Sequence, residues 1–113
     1  MFFSGQVRLG GGDTEDEGYV EALGSNGEWG GLCDDSWGIQ DAHVVCKMLG
    51  YPEAEESFGS AKFGLAPSGN DFVLDNLGCT GSETNIFDCD HIGEWKHNCG
   101  ASEIAGLRCA PLT

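Results

Sequence analysis

The segment GEWGGLCDDSWGIQDAHVVCKMLGY, residues 27–51, decides the fold of this chain because it joins a predicted strand to the one convincing helix. Residues 28–33 form the returning strand of a predicted hairpin and end on a cysteine. Asp41 then opens a helix over residues 41–49, since its side chain can cap free amides and the apolar residues fall on one face. Gly50 ends this helix.

Short strands are predicted on both sides of this segment. The Asn-Gly pair within residues 25–27 favours the positive φ angles of a type I′ turn, and therefore a hairpin. Residues 10–17 are assigned to a polar loop, and the acid-rich residues 53–56 to solvated surface. Further strands are predicted at residues 6–9, 18–23, 72–74 and 104–109, and a helical turn at residues 83–89. This pattern predicts an α+β fold with much ordered loop.

The cysteine content indicates three disulfides formed in an oxidising compartment. The six cysteines are Cys33, Cys46, Cys79, Cys89, Cys99 and Cys109. Zinc binding is the alternative, and it is disfavoured because zinc ligands usually include closely spaced cysteine pairs and no CxxC pair occurs. The sequence by itself leaves open which cysteines pair.

The length of 113 residues is that of one domain, which we assign to residues 7–110. Residues 1–6 are interpreted as an added start or a linker, and residues 111–113 as a tail or linker. No apolar run is long enough to span a membrane, so this domain is not expected to insert into one. A disulfide-rich domain without a recognisable secretion signal is interpreted as a fragment of a larger secreted or membrane-anchored multidomain protein.

The charge of the chain excludes some classes of partner. Its 19 acidic and 5 basic residues give a formal net charge of −14. Nucleic acid is not an expected partner, because proteins bind it through Lys and Arg that neutralise phosphates. The sequence has no nucleophile elbow, HExxH motif or phosphate-binding loop, so it is not predicted to be an enzyme.

A set of ordered motifs resembles the scavenger receptor cysteine-rich (SRCR) domain family over nearly the whole chain. The motifs are Val7-Arg8-Leu9, Gly27-Glu28-Trp29-Gly30, Cys33-Asp34-Asp35-Ser36-Trp37, the helix segment Asp41 to Cys46, Leu49-Gly50-Tyr51 and His97-Asn98-Cys99. Six cysteines rather than eight make the chain similar to the group A form. One departure is Ile104, which stands where family members commonly have an acidic residue.

This resemblance implies a fold and a disulfide pairing. The implied fold is a small, curved antiparallel β-sheet that cradles one α-helix, with long ordered loops. The implied disulfides are Cys33–Cys99, Cys46–Cys109 and Cys79–Cys89.

The resemblance also implies a cation site. In the family an acidic trio binds calcium or magnesium, and Asp34, Asp35 and Glu103 match it. Oxygen ligands of this kind suit either ion. The alternative is that Asp34 and Asp35 only cap a turn. A second family-type site would use Asp75 and Asn98, unless Asp75 simply accepts a hydrogen bond from a loop amide.

The three tryptophans are the remaining candidates for ligand contact. Trp29 and Trp37 lie in framework motifs and are predicted to be core residues. Trp95, between Glu94 and Lys96, is the predicted surface residue for ligand binding.

Together these observations predict a secreted or extracellular module that recognises protein or anionic ligands through a calcium-dependent acidic surface. The acidic charge favours a basic protein as the partner. The alternative is a structural or regulatory spacer in a larger secreted enzyme, such as a serine protease or a lysyl oxidase-like protein, in which calcium only stabilises loops.

Overall fold

The computed structural model describes residues 6–67 and 69–111. Within them are one α-helix, six strands and two short 3-10 helices. The strands are β1 (Val7–Gly11), β2 (Glu17–Leu23), β3 (Trp29–Leu32), β4 (Ala54–Phe58), β5 (Phe72–Leu74) and β6 (Gly106–Cys109); the helix is α1 (Ile39–Met48), and the 3-10 helices are Ile86–Asp88 and Ala101–Glu103. Of the predicted terminal segments 1–6 and 111–113, residues 1–5 and 112–113 lie outside the described residues. No described helix is both long and apolar enough to cross a membrane.

The strands form one curved sheet in the order β4-β6-β2-β3-β5, with β1 pairing β2 on its other side. The predicted α+β class is confirmed, but the sheet is mixed rather than purely antiparallel because β3 and β5 pair in parallel. Parallel neighbours require a long crossover connection. Residues 33–71 supply it, and they carry α1 and β4.

Helix α1 begins two residues before the predicted start. Gly38 is the N-cap residue, and its backbone amide donates to the Asp41 carboxylate at 2.8 Å. Asp41 therefore caps from the third helical position rather than from the N-cap. The predicted end at Gly50 is confirmed: its φ angle is +95°, and the amides of Gly50 and Tyr51 donate to the carbonyls of Lys47 and Cys46. These two backbone hydrogen bonds form a Schellman motif.

The predicted hairpin between β2 and β3 forms, but its turn is not of type I′. The Gly27 amide donates to the Gly24 carbonyl at 3.0 Å, and Gly27 has a φ angle of +84°. Asn26 does not have a positive φ angle, and its side chain instead accepts a hydrogen bond from the Glu28 amide. A longer loop that ends on a left-handed glycine therefore replaces the two-residue turn.

Strand β4 was not predicted, because its acidic sequence was assigned to solvated surface. It pairs with β6, and the Arg108 guanidinium on β6 lies 3.2 Å from Glu55 and 2.8 Å from Glu56. Glutamate has a low intrinsic preference for strands. The ion pairs with Arg108 of a distant strand stabilise β4, and the periodicity of a local sequence cannot predict them.

The three implied disulfides, Cys33–Cys99, Cys46–Cys109 and Cys79–Cys89, are confirmed. Cys46 on α1 joins Cys109 at the end of β6, so this bond fixes the helix against the sheet. The main buried cluster includes Val20, Leu32, Val44, Val45, Leu74, Ile86 and Leu107. A second cluster around Phe72 and Ile104 surrounds the Cys33–Cys99 bond.

Candidate metal centre

The candidate metal centre lies where the chain leaves β3. Cys33 forms an isolated bridge with Ile104, and the Asp34 amide donates to the Glu103 carbonyl at 2.9 Å. The disulfide from Cys33 to Cys99 joins the same two segments. The acidic residues that follow β3 are therefore held beside the 3-10 helix that ends on Glu103.

Asp35 and Glu103 are the two members of the predicted trio that approach most closely. Each places a carboxylate oxygen within a group whose ligand atoms all lie within 4.8 Å of one another. The other members of that group are Cys33 and Cys99, whose sulfurs lie 3.9 Å from Glu103 and 3.8 Å from Asp35. Disulfide sulfurs do not suit calcium, so the oxygens are the useful donors.

Asp34 faces a different segment. Its Oδ2 accepts a hydrogen bond of 2.7 Å from the Ser60 amide, in the loop after β4. This matches the alternative that an aspartate here organises a turn, although Asp34 still adds its charge to the environment of Asp35. The three residues of the trio are thus close in space, but one carboxylate oxygen of Asp34 is hydrogen-bonded to Ser60.

Asp75, from the second predicted site, lies beside the first. It follows β5, whose Leu74 carbonyl accepts from the Cys33 amide at 3.0 Å, and only 1% of Asp75 is exposed. Burial raises the pKa of Asp35, and so do the charges of Asp75, Glu103 and Asp34 and the close approach of the Asp75 side chain. These four carboxylates are called here the acidic cluster: Asp34, Asp35, Asp75 and Glu103.

The partners of Asp75 and Asn98 complete the geometry. The Asn76 amide donates to Asp75 Oδ1 at 2.7 Å, as the hydrogen-bonding alternative predicted. Asn98 is exposed, and its Oδ1 lies 3.7 Å from Cys99 Sγ, at the disulfide that borders Asp35. Asn98 is therefore placed at the edge of the acidic cluster.

Sequence reasoning missed the contact between Asp35 and Asp75, although a signal for it exists. Residues 33–35 follow β3, and Asp75 follows β5. Because parallel neighbouring strands bring their carboxyl ends to one edge of a sheet, polar residues after each strand meet there. Because an antiparallel sheet was expected, the ends of β3 and β5 were not predicted to lie at the same edge.

Among the described residues, no basic side chain forms an ion pair with the acidic cluster. The ion pairs among the described residues are made by Arg8 with Glu21 and by Arg108 with three glutamates. Burial and the mutual repulsion of these carboxylates raise the pKa of Asp35. The oxygen donor set and the uncompensated charge fit a calcium or magnesium ion.

A second group of possible ligands has a structural explanation. Glu83 lies near the Cys79–Cys89 disulfide, but its carboxylate accepts hydrogen bonds from the amides of Thr80 and Gly81. These bonds lower the pKa of Glu83 below its ordinary value. The carboxylate is therefore satisfied by the backbone.

Two of the three tryptophans differ from their predicted positions. Trp37 packs against the main core and donates to the Gly106 carbonyl at 3.0 Å, as expected for a framework residue. Trp29 is not a core residue: it is half-buried, and the Arg8 guanidinium lies 4.0 Å from its ring centroid.

Trp95 is half-buried rather than fully exposed. A Cβ atom added to Gly24 or Gly30 would lie 3.0 or 2.7 Å from its ring carbons, so the ring packs on the backbone at these glycines. Its backbone amide donates to the Val73 carbonyl at 2.9 Å, while its indole nitrogen is buried without a hydrogen-bond partner. Trp95 therefore closes a loop onto the sheet, and ligand binding by its accessible part stays a prediction.

Comparison with known proteins gives consistent matches. The model of the scavenger receptor cysteine-rich domain family matches residues 10–110. A scavenger receptor cysteine-rich domain superfamily protein of Patiria pectinifera is 46% identical over 94% of this chain and 9% of its own length. Galectin-3-binding protein of Mesocricetus auratus is 41% identical over 96% of this chain and 18% of its own length. The chain thus spans less than a fifth of these curated relatives.

Two solved structures share the fold over nearly their whole length. The third SRCR domain of murine neurotrypsin superposes with a TM-score of 0.80 and 40% identity, covering 95% of this chain and 97% of that one. The dimeric form of the SRCR domain of mouse MARCO gives a TM-score of 0.74 and 39% identity, covering 91% and 93%.

Proposed function

Because this chain belongs to the scavenger receptor cysteine-rich domain family, we propose that it is an extracellular, non-catalytic module that recognises a ligand through a calcium-dependent site. The observation that supports this most is the acidic cluster, in which burial and three neighbouring carboxylates raise the pKa of Asp35 and no basic side chain of the described residues forms an ion pair. A divalent cation would relieve that repulsion.

The ion would be held by carboxylate oxygens of Asp35 and Glu103, with Asp34 and Asp75 alongside and Asn98 at the edge. Calcium would supply coordination positions and a compact positive charge. The protein's own contribution is to fix these oxygens through the Cys33–Cys99 disulfide and the backbone bond from Asp34 to Glu103. Magnesium is the second candidate ion, because it accepts the same donors.

A basic extracellular protein is the proposed ligand class. The net charge of −14 attracts a positively charged partner and repels a free polyanion. An anionic group on the partner would bind only by direct coordination to the cation. Galectin-3-binding protein, one of the relatives, is named for binding another protein, which agrees with a recognition role.

The domain would act within a larger extracellular protein. It covers only 9–18% of the curated relatives that it matches, so those relatives carry much additional chain. Neighbouring domains would then add avidity to a single weak contact.

The test is binding of the oxidised domain to a panel of purified extracellular proteins, measured in calcium and in EDTA. We expect ligands that bind in calcium, lose binding in EDTA and lose binding to the Asp35→Asn variant. Glu28→Gln is the matched control, because Glu28 is exposed and lies on the hairpin loop. Wild-type binding in EDTA, or Asp35→Asn binding in calcium, that equals wild-type binding in calcium would contradict the proposal.

The spacer function makes a different prediction. If calcium only stabilises loops, it raises the melting temperature without changing ligand binding. Measuring both quantities on the same samples distinguishes the two functions.

A further inference from the structure

A cleft lies between β1 and the end of α1, away from the residues of the acidic cluster. Its volume is about 520 Å³. One wall is β1 with the glycine that follows it, and the others come from the β1–β2 loop and the segment after α1. The lining residues used below are Val7, Leu9, Glu15, Leu49 and Tyr51.

One wall of the cleft is an unpaired sheet edge. Among the described strands β1 pairs only with β2. The register places Arg8 opposite Glu21, and the Leu23 amide donates to the Gln6 carbonyl at 2.9 Å. Because hydrogen-bonded and non-hydrogen-bonded positions alternate in an antiparallel pair, Arg8 directs its backbone groups toward β2. Val7 and Leu9 therefore direct theirs away from β2, toward the free edge.

The floor of the cleft is apolar. Val7, Leu9, Leu49 and Tyr51 are half-buried and pack against the main core. Their exposed parts offer contact for alternate side chains of an added strand. The cleft thus combines free backbone groups with an apolar surface, which are the two requirements for binding an extended peptide.

The rim of the cleft is negative. Glu15 is exposed and has no recorded hydrogen bond or ion pair among the described residues. Glu15 lines the cleft beside Tyr51, and burial together with the charges of Glu15 and Asp16 raises the pKa of the Tyr51 hydroxyl. Arg8 also lines the cleft, but its guanidinium is paired with Glu21 at 2.8 Å.

We propose that this cleft binds an extended, lysine- or arginine-containing segment of a partner protein, which adds a strand to the free edge of β1. Its apolar side chains lie on the floor, and a basic side chain meets Glu15. A second copy of this chain is a poor occupant, because its own charge of −14 would face the same acidic rim. The contact needs no metal, so it is independent of the proposed calcium site.

The experiment selects ligands from a phage-displayed library of random peptides on the oxidised full chain in EDTA. The consensus peptide is then synthesised, and its affinity is measured by fluorescence anisotropy for wild type, Glu15→Lys and Glu28→Lys. Glu28 gives a matched control because it is also an exposed glutamate and does not line the cleft. A second peptide carries N-methyl groups on alternate amides, which blocks strand pairing.

We expect selected peptides to be rich in Lys and Arg, and Glu15→Lys to weaken binding by at least about fivefold while Glu28→Lys changes it by less than about twofold. N-methylation should abolish binding, and Asp35→Asn should leave it unchanged.

The proposal is overturned if no peptide is selected, if the consensus lacks basic residues, or if Glu15→Lys and Glu28→Lys bind equally. It is also overturned if the N-methylated peptide binds as well as the parent. Because every step is done in EDTA, these outcomes leave the calcium proposal standing. If a calcium titration shows no binding, the proposal for this cleft is likewise unaffected.

Discussion

At the scale of single residues, Asp35 links protonation to stability. Burial and the charges of Asp75, Glu103 and Asp34 raise its pKa above the ordinary value in the metal-free domain. The folded state then keeps this proton to higher pH than the unfolded state, so the contribution of Asp35 to stability falls as pH rises between the two pKa values.

Asp35→Asn should therefore raise the melting temperature of the metal-free domain at neutral pH. The difference in melting temperature between Asp35→Asn and wild type should shrink as the pH falls below the ordinary pKa of aspartate, because residue 35 is then uncharged in both proteins. Circular dichroism melts in EDTA across this pH range check the prediction. An Asp35→Asn variant that melts below wild type at neutral pH would contradict it.

The pair of Arg8 and Glu21 gives a second prediction at this scale. The Glu21 side chain is only 3% exposed and lies 2.8 Å from an Arg8 nitrogen, while Arg8 is half exposed. Arg8→Met leaves a buried carboxylate without its partner and should cost about 2 kcal/mol, less than for a fully buried pair. The double variant Arg8→Met/Glu21→Leu should recover most of this loss in urea unfolding. Equal instability of both variants would show that the ion pair is not the cause.

At the scale of elements, the end of α1 depends on one backbone conformation. Gly50 has a φ angle of +95°, and a Cβ atom there would meet nothing within 4 Å. Gly50→Ala should therefore destabilise the domain by about 1 kcal/mol through backbone strain alone. Gly50→Asn should cost less, because asparagine tolerates this conformation better. Chemical denaturation measures both, and an equal cost for the two variants would argue against backbone strain.

Elements with local signals could be predicted from the sequence, and elements made by distant contacts could not. The glycine that ends α1 and the Asn-Gly loop between β2 and β3 have local chemical causes. Strand β4 depends on Arg108 of a distant strand, and its glutamates give no local preference for a sheet. The site shows the same division: Asp34, Asp35 and Glu103 follow from motifs, but the contact of Asp35 with Asp75 requires the parallel pairing of β3 and β5.

At the scale of the whole molecule, the disulfides differ in how much of the chain they constrain. Cys46–Cys109 spans 63 residues and Cys79–Cys89 spans 10. Loop-closure entropy predicts losses of about 4 kcal/mol and about 3 kcal/mol respectively when each pair is replaced by alanine. Urea unfolding of the two double variants checks this order. A larger loss for the Cys79–Cys89 variant would mean that native packing, rather than chain entropy, decides the outcome.

The central claim is that the acidic cluster binds a divalent cation. It is tested most directly by calorimetric titration of calcium into the oxidised domain, with Asp35→Asn and the control Glu28→Gln measured under the same conditions. We predict saturable binding by wild type and Glu28→Gln, and affinity lowered by roughly tenfold or more in Asp35→Asn, because calcium affinity depends on the number of charged ligands. No saturable binding by wild type, or equal binding by all three proteins, would contradict the claim.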